Sequence, residues 1–260
     1  YDPLAHAVID PFHGVDDLHA RILRHTSDKF PEDPLRVLRA MQFVARFELA
    51  VAPETLAVCR AMAPENLAAE RIFQEWRTLL LKGVDIARGL EFLRASAWVQ
   101  FYPELEALIG CAQDPRWHPE GDVWTHTLLS LNSFAAARTG DAWDDLVVGC
   151  AVLCHDFGKP GTTVHDTDGI RSCRHEIAGV DATRSFLQRM TNQAELIERV
   201  CALVAAHMRP QELYQQNAGD SAIRRLARQV GRIDWLARVD RADRLGRGQP
   251  EDKKERSSDV

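Results

Sequence analysis

The sequence predicts an all-α protein: a first helical part followed by a second helical domain. Apolar residues recur at helical spacing along most of the chain, Pro and Gly punctuate the short connections, and only residues 8–12 have the pattern of a strand. At 260 residues, 45% of them hydrophobic and 27% charged, the chain is an ordinary globular sequence that can bury a sizeable core in one or two domains. A formal net charge of −6 argues against a protein that coats nucleic acid indiscriminately, but leaves room for a local basic face. No window approaches the roughly 18 uninterrupted apolar residues of a membrane span, and no basic-then-apolar leader opens the chain, so no membrane partner and a cytoplasmic location are expected. Because it begins at Tyr1, it is expected to be part of something longer.

In order, residues 1–28 are short and mixed. Residues 8–12 would be a strand ending in a turn, and 13–17 a loop leading into 18–25; together they read as the tail of a domain. Lys29-Phe30-Pro31-Glu32-Asp33-Pro34 then breaks the chain. Pro34, whose ring presets a helical φ, opens a helix over 35–47 with Leu35, Leu38, Met41, Val44 and Ala45 on one face and Arg36 and Arg39 off it. Further helices are predicted over 54–62, 68–81 and 86–97. A polar loop at 110–117 separates a first helical part, 29–115, from a second, 116–247. In the second, helices are predicted over 123–137, 144–155, 175–190, 193–207, 221–230 and 233–244, with a polar, mobile loop at 161–174 and a flexible tail at 248–260. The six cysteines contain no C-x-x-C and sit mostly in apolar helical contexts, which predicts reduced, mostly buried thiols.

The chemistry centres on His155-Asp156. An apolar run over 146–153 leads into the pair and Gly158 and Pro160 stop the helix, which places both side chains at the C-terminal end of a buried helix. A neutral imidazole and a carboxylate are good ligands for a divalent cation, but adjacent residues point about 100° apart on a helix, so other segments must close the shell. His126 lies upstream; His175, His207 and Asp243 lie downstream.

This order, H…HD…H…H…D, resembles the HD-domain metal-dependent phosphohydrolase superfamily. The resemblance implies a first metal position at His126, His155, Asp156 and Asp243, and a second completed by His175 and His207 with Asp156 bridging. Mg, Mn, Ni, Co and Zn are not distinguished. Two such ions some 3.5–4 Å apart suit in-line attack by an activated water on phosphorus. His155, Asp156 and Lys159 are then the catalytic candidates. Lys159, Arg174, Arg224 and Arg244 are the cations expected to hold phosphate, the last two from a run of eight arginines against three acids over 224–247.

The front of the chain resembles the end of the head and the neck of the class II CCA-adding enzyme and poly(A) polymerase family. Ile9-Asp10-Pro11-Phe12-His13-Gly14, Phe30-Pro31-Glu32-Asp33-Pro34-Leu35-Arg36 and Arg39-Ala40 carry that resemblance, and His118-Pro119-Glu120-Gly121-Asp122-Val123 resembles the segment that opens an HD domain attached to such a neck. It implies that Asp33 and Arg36, with Arg39 beside them, meet the base of an incoming nucleotide, and that tRNA or RNA 3′ ends and nucleotides are the partners. The family's catalytic head needs a Gly-Ser turn followed by an Asp-x-Asp pair. No such sequence occurs here, so nucleotide transfer is not expected from this chain without that head. The resemblance instead implies 2′,3′-cyclic phosphodiesterase, 2′-nucleotidase or phosphatase activity. The competing expectation is an RNA-holding body with a vestigial HD site, which is disfavoured because such a site has no physical reason to keep buried charged groups.

Overall fold

The computed structural model describes residues 1–4, 6–167 and 169–248; apart from Gly248, the predicted tail lies outside the described residues. Among the described residues the fold is all-α, with two strand pairs of limited extent. The first part holds α1 (Gly14–His19), α2 (Leu35–Phe47), α3 (Pro53–Arg60), α4 (Ala69–Lys82), α5 (Ile86–Ala95) and the short α6 (Pro103–Glu106). The second holds α7 (Val123–Ala136), α8 (Ala142–Cys154), the single turn α9 (Lys159–Thr162), α10 (His175–Gln188), α11 (Ala194–Ala206), α12 (Arg209–Gln215), α13 (Asp220–Val230) and α14 (Ile233–Gly246). No helix among the described residues is long and apolar enough to cross a membrane.

Two local expectations need correction. Residues 8–12 form no strand: Asp10 instead accepts hydrogen bonds from the Gly14 and Val15 amides at 2.8 and 2.9 Å, starting α1 from residues expected to be loop. The strands of this region are the two-residue β1 (Ile22–Leu23) and β2 (Ala50–Val51), paired in parallel. Within the stretch expected to be a loop, β3 (Thr163–Asp166) and β4 (Gly169–Ser172) form an antiparallel hairpin, Thr163 opposite Ser172. Their hydroxyls lie 2.7 Å apart and add a side-chain rung to the ladder.

The amphipathic face read for α2 is buried, and so are Val37 and Ala40, because both α4 and α5 pack against this helix. One hydrophobic cluster continues from these helices into the second part, without a break at residue 115. The two parts are also tied by polar contacts. Trp124 donates to Glu91 at 2.6 Å, Arg138 caps the end of α4 through the carbonyls of Leu80 and Gly83, and the Trp76 and Phe186 rings meet edge to face at 5.6 Å. Of the cysteines, Cys59, Cys150, Cys154 and Cys201 are buried, Cys111 is half-buried and Cys173 is exposed; all six are free thiols.

The N-terminal turn of α8 is held to α14 by Asp145, which accepts from the amides of Thr139 and Gly140 and pairs with Arg238. Burial pushes this carboxyl up, but those hydrogen bonds and the guanidinium hold it below the ordinary carboxylate value. A depressed folded pKa gives stability that is complete above the unfolded value and is lost as pH falls through the folded value. Replacing Asp145 with Asn should therefore lower the urea midpoint at neutral pH, with the difference shrinking below about pH 4. A difference that stays constant down to pH 3 would exclude this carboxylate as a source of acid sensitivity.

Candidate metal centre

Five segments bring six ligand-type side chains to one place. The apolar run predicted before the pair makes α8 a helix buried over its last nine residues, Leu146 to Cys154. It ends at His155, so that His155 and Asp156 emerge in the core rather than at the surface, each 1% exposed. His175 is the first residue of α10, His207 caps the end of α11, His126 lies one turn into α7, and Asp243 lies on the buried face of α14. Glycine permits two of these approaches. A Cβ on Gly158 would sit 2.1 Å from the His175 carbonyl oxygen, and one on Gly246 would sit 2.1 Å from the Ser130 hydroxyl of α7.

The ligand atoms fall into two groups, His126–His155–Asp243 and Asp156–His175–His207, with all atoms in each group within 4.8 Å of one another. Asp156 faces both. Its Oδ2 is 3.2 Å from His155 Nε2 and 3.8 Å from His126 Nε2, and its Oδ1 is 3.3 Å from His175 Nε2. Asp243 Oδ1 lies 3.0 Å from His126 Nε2.

The histidines test whether this set suits a cation. In each ring Nδ1 is already engaged: by the carbonyls of Val152, Ser172 and Val204 for His155, His175 and His207, and by the Glu120 carboxylate for His126. Acceptors on Nδ1 keep its proton there, so each neutral ring turns a lone pair outward from Nε2. Yet the Nε2 atoms of His126 and His155 approach to 3.3 Å, and those of His175 and His207 to 3.2 Å. Two lone pairs do not attract one another; a ring proton or a cation shared by the two nitrogens would satisfy each contact. Both carboxylate oxygens of Asp156 are also buried without a well-aligned hydrogen bond, although the Lys159 ammonium is 2.7 Å from Oδ2. The donor set therefore fits divalent cations, at one or two positions.

The titration tendencies point the same way. Burial opposes ionisation of Asp156, but His155 and Lys159 hold its carboxyl well below the usual range; Arg247 and His126 do the same for Asp243. Burial also opposes charge on His126 and His175, yet Asp243 and Glu120 raise the first and Asp156 raises the second. His207, buried between His155 and His175, is driven down to about 3.

A pocket of about 400 Å³ opens beside these groups, and Asp156, His175, His207 and Asp243 reach its wall. Lys159, only 8% exposed, is held there between Asp156 and Gln113, the latter at 2.6 Å. Of the other expected phosphate-binding residues, Arg174 is exposed in a left-handed turn before His175, Arg224 pairs with Asp220 at 3.7 Å, and Arg244 pairs with Asp240 at 2.9 Å; none of the three lines the pocket. The arginines that do are Arg171 of β4 and Arg247. Arg247 reaches Asp243 at 3.1 Å, and its Nε–H is buried without a partner. Its place four residues after Asp243 was a readable signal, since such residues share a helix face. Glu120 and Gln113, which touch His126 and Lys159, lie in loops and had no periodicity to reveal them.

In the first part, Asp33 pairs with Arg71 at 2.8 Å, Arg36 donates to the carbonyls of Lys29 and Phe30, and Arg39 approaches Glu75 at 3.5 Å. Asp33 and Arg36 are thus fixed to neighbours rather than to each other.

The HD domain family matches residues 123–239, the segment that supplies five of the six ligand-type residues. A "Multifunctional CCA protein" of Halorhodospira halophila is 42% identical over 191 residues, covering 70% of this chain and 44% of the relative. One of Azoarcus sp. is 35% identical over 258 residues, covering 93% of this chain and 59% of the relative. The chain carries an HD domain and is similar over most of its length to multifunctional CCA proteins. It spans about half the length of the curated relatives it matches. A solved structure of a CCA-adding enzyme with CTP superposes with a TM-score of 0.56 at 15% identity, over 96% of this chain and 52% of that one, and shares the fold.

Replacing Gly158 with Ala should force α8 away from α10, because the added methyl meets backbone atoms that cannot rotate aside. The expected cost is about 1–3 kcal/mol or more, typical of overpacking, together with weaker cation binding. A variant with the wild-type melting temperature and cation affinity would show that this approach does not place Asp156 opposite His175.

Proposed function

We propose that the HD half is a divalent-metal-dependent phosphohydrolase acting on nucleotides or RNA ends, of the 2′,3′-cyclic phosphodiesterase, 2′-nucleotidase or phosphatase kind. The observation that carries this reading is the pair of close Nε2–Nε2 contacts flanking Asp156 at the wall of a pocket that Lys159, Arg171 and Arg247 also line. His126, His155 and Asp243 would hold one cation, and His175 and His207 a second, with Asp156 shared. When bound, such a cation supplies Lewis-acid chemistry, lowering the pKa of a coordinated water and offsetting charge on phosphoryl oxygens.

The chain's own residues do the rest. Asp156 holds its two oxygens toward the two histidine pairs and, through Oδ2, fixes Lys159. An ammonium has three donors, and with Asp156 and Gln113 taking two, the third can receive a phosphoryl oxygen from the pocket. Arg247 presents a buried N–H without a partner, and an anionic oxygen in the pocket would satisfy it. The four imidazoles keep Nδ1 protonated and spend no ligand lone pair on the protein.

In this reading residues 1–28 are the end of a nucleotidyltransferase head, 29–115 a neck and 116–247 the hydrolase. Asp33, Arg36 and Arg39 would meet a nucleotide base only when a head presents one. In this reading the setting is cytoplasmic, with tRNA and nucleotides as substrates.

Asp156→Ala should lower cation affinity and the hydrolysis of 2′,3′-cyclic AMP together, by more than the 10–100-fold typical of residues that only support a ligand. Replacing Asp33 and Arg36 together should leave hydrolysis of the small ester nearly unchanged. Equal losses in two folded variants would mean instead that the active site is assembled between the two halves.

A further inference from the structure

The four histidines do not hold their tautomers in the same way. His155, His175 and His207 all sit at helix ends, where Nδ1 reaches the main-chain carbonyl three residues earlier, at 2.8, 2.8 and 2.7 Å. These ties belong to the backbone, and no side-chain substitution removes them. His126 is inside α7, and the carbonyl three residues before it, that of Val123, already accepts the Thr127 hydroxyl at 2.8 Å. Its Nδ1 meets Glu120 Oε1 at 2.8 Å instead, and the same oxygen lies 2.8 Å from His118 Nδ1.

The ligand-type atoms of His118, Glu120 and His126 also lie within 4.8 Å of one another, so Glu120 adjoins the first position directly. Its side chain is 2% exposed and its second oxygen is buried without a partner. The loop that carries it is itself fastened: Gln113 donates to the Gly121 carbonyl at 3.3 Å, and Asp122 caps α7 by accepting from the Thr125 amide at 2.9 Å. A carboxylate has been kept out of water, at a desolvation cost, where its side-chain partners are two imidazole nitrogens.

We propose that Glu120 is a positioning residue for the His126–His155–Asp243 position: it keeps the proton on His126 Nδ1 and so turns the Nε2 lone pair toward the cation. The inference rests on the metal-binding reading above and adds an asymmetry to it. Behind the first position stands an anion in direct contact with Nδ1; behind the histidines of the Asp156–His175–His207 position the direct contacts are main-chain carbonyls, with the Glu176 carboxylate farther off, 3.9 Å from His175 Nδ1. Glu120 therefore strengthens one position selectively, because a carboxylate behind an imidazole makes the ring a better donor and fixes its orientation.

A glutamine at this place has nearly the same shape but can turn its amide N–H toward His126 Nδ1, which moves the ring proton to Nε2 and blocks ligation. The test compares wild type, Glu120→Gln and Glu120→Asp by calorimetric titration with Mn²⁺. The His126 ring tautomer is read separately from its ¹⁵N shifts in metal-free protein at alkaline pH. In Glu120→Gln one class of Mn²⁺ sites should weaken about 10–100-fold with the other unchanged, and the His126 proton should move from Nδ1 to Nε2. Glu120→Asp, which keeps the charge but shortens its reach, should fall between the two; it also carries the comparison should the glutamine variant not fold. Retention of the Nδ1 proton in Glu120→Gln, or equal weakening of both classes, would overturn the role of Glu120. Wild-type protein that binds no Mn²⁺ would overturn the metal reading instead.

Discussion

Two pairs of imidazole nitrogens, each facing the other lone pair to lone pair across 3.2–3.3 Å, set the central constraint on this structure. Neutral rings whose Nδ1 protons are fixed by acceptors cannot satisfy such a contact, and a buried carboxylate between the pairs deepens the local demand for positive charge. Protons can meet that demand in part: despite burial, the Asp243 and Glu120 carboxylates raise His126, and the Asp156 carboxylate raises His175. Divalent cations would meet it fully, held by side chains from several helices. A cation there would stabilise the fold by the free energy of its binding, provided the unfolded chain does not bind it equally.

The rest of the fold holds this place open. A helix that ends inside the core must leave its last polar residues where water cannot satisfy them, so α8 is useful only because α7, α10, α11 and α14 converge on its end. Gly158 and Gly246 mark where that convergence is tightest, since in each case the space for a side chain is occupied by another helix. The first helical part contributes at one remove: its core is continuous with that of the second, and Trp124 and Arg138 anchor α7 to it. A change deep in the first helical part can therefore lower stability without touching the chemistry.

Much of this was legible in the sequence because helical faces and helix ends are local properties. Leu35 to Ala45 announce a buried stripe, and an apolar run stopped by Gly158 and Pro160 announces a helix that ends with His155-Asp156 at its tip. The hairpin over 163–172 was obscured because its strands are four residues each and mostly polar, and its stability comes from ladder bonds that composition does not reveal. Asp10 was misread for a related reason: beside two apolar residues it resembles a strand, but its side chain caps a helix. The arginines of α13 and α14 were hard to assign because helical phase, not abundance, decides which reach the pocket. Arg247 does, while Arg224 and Arg244 turn toward acids of their own helices. Glu120 was invisible as a functional residue because its role exists only once a loop has folded back against α7.

The central claim is that cations occupy the space between the facing imidazoles, and anomalous diffraction from crystals of the Mn²⁺-loaded protein tests it most directly. The account predicts anomalous density bounded by His126, His155 and Asp243, by Asp156, His175 and His207, or by both sets, with the paired Nε2 atoms moved apart around each ion. Crystals that contain Mn²⁺ elsewhere, while these nitrogens remain in direct contact with no density between them, would contradict it.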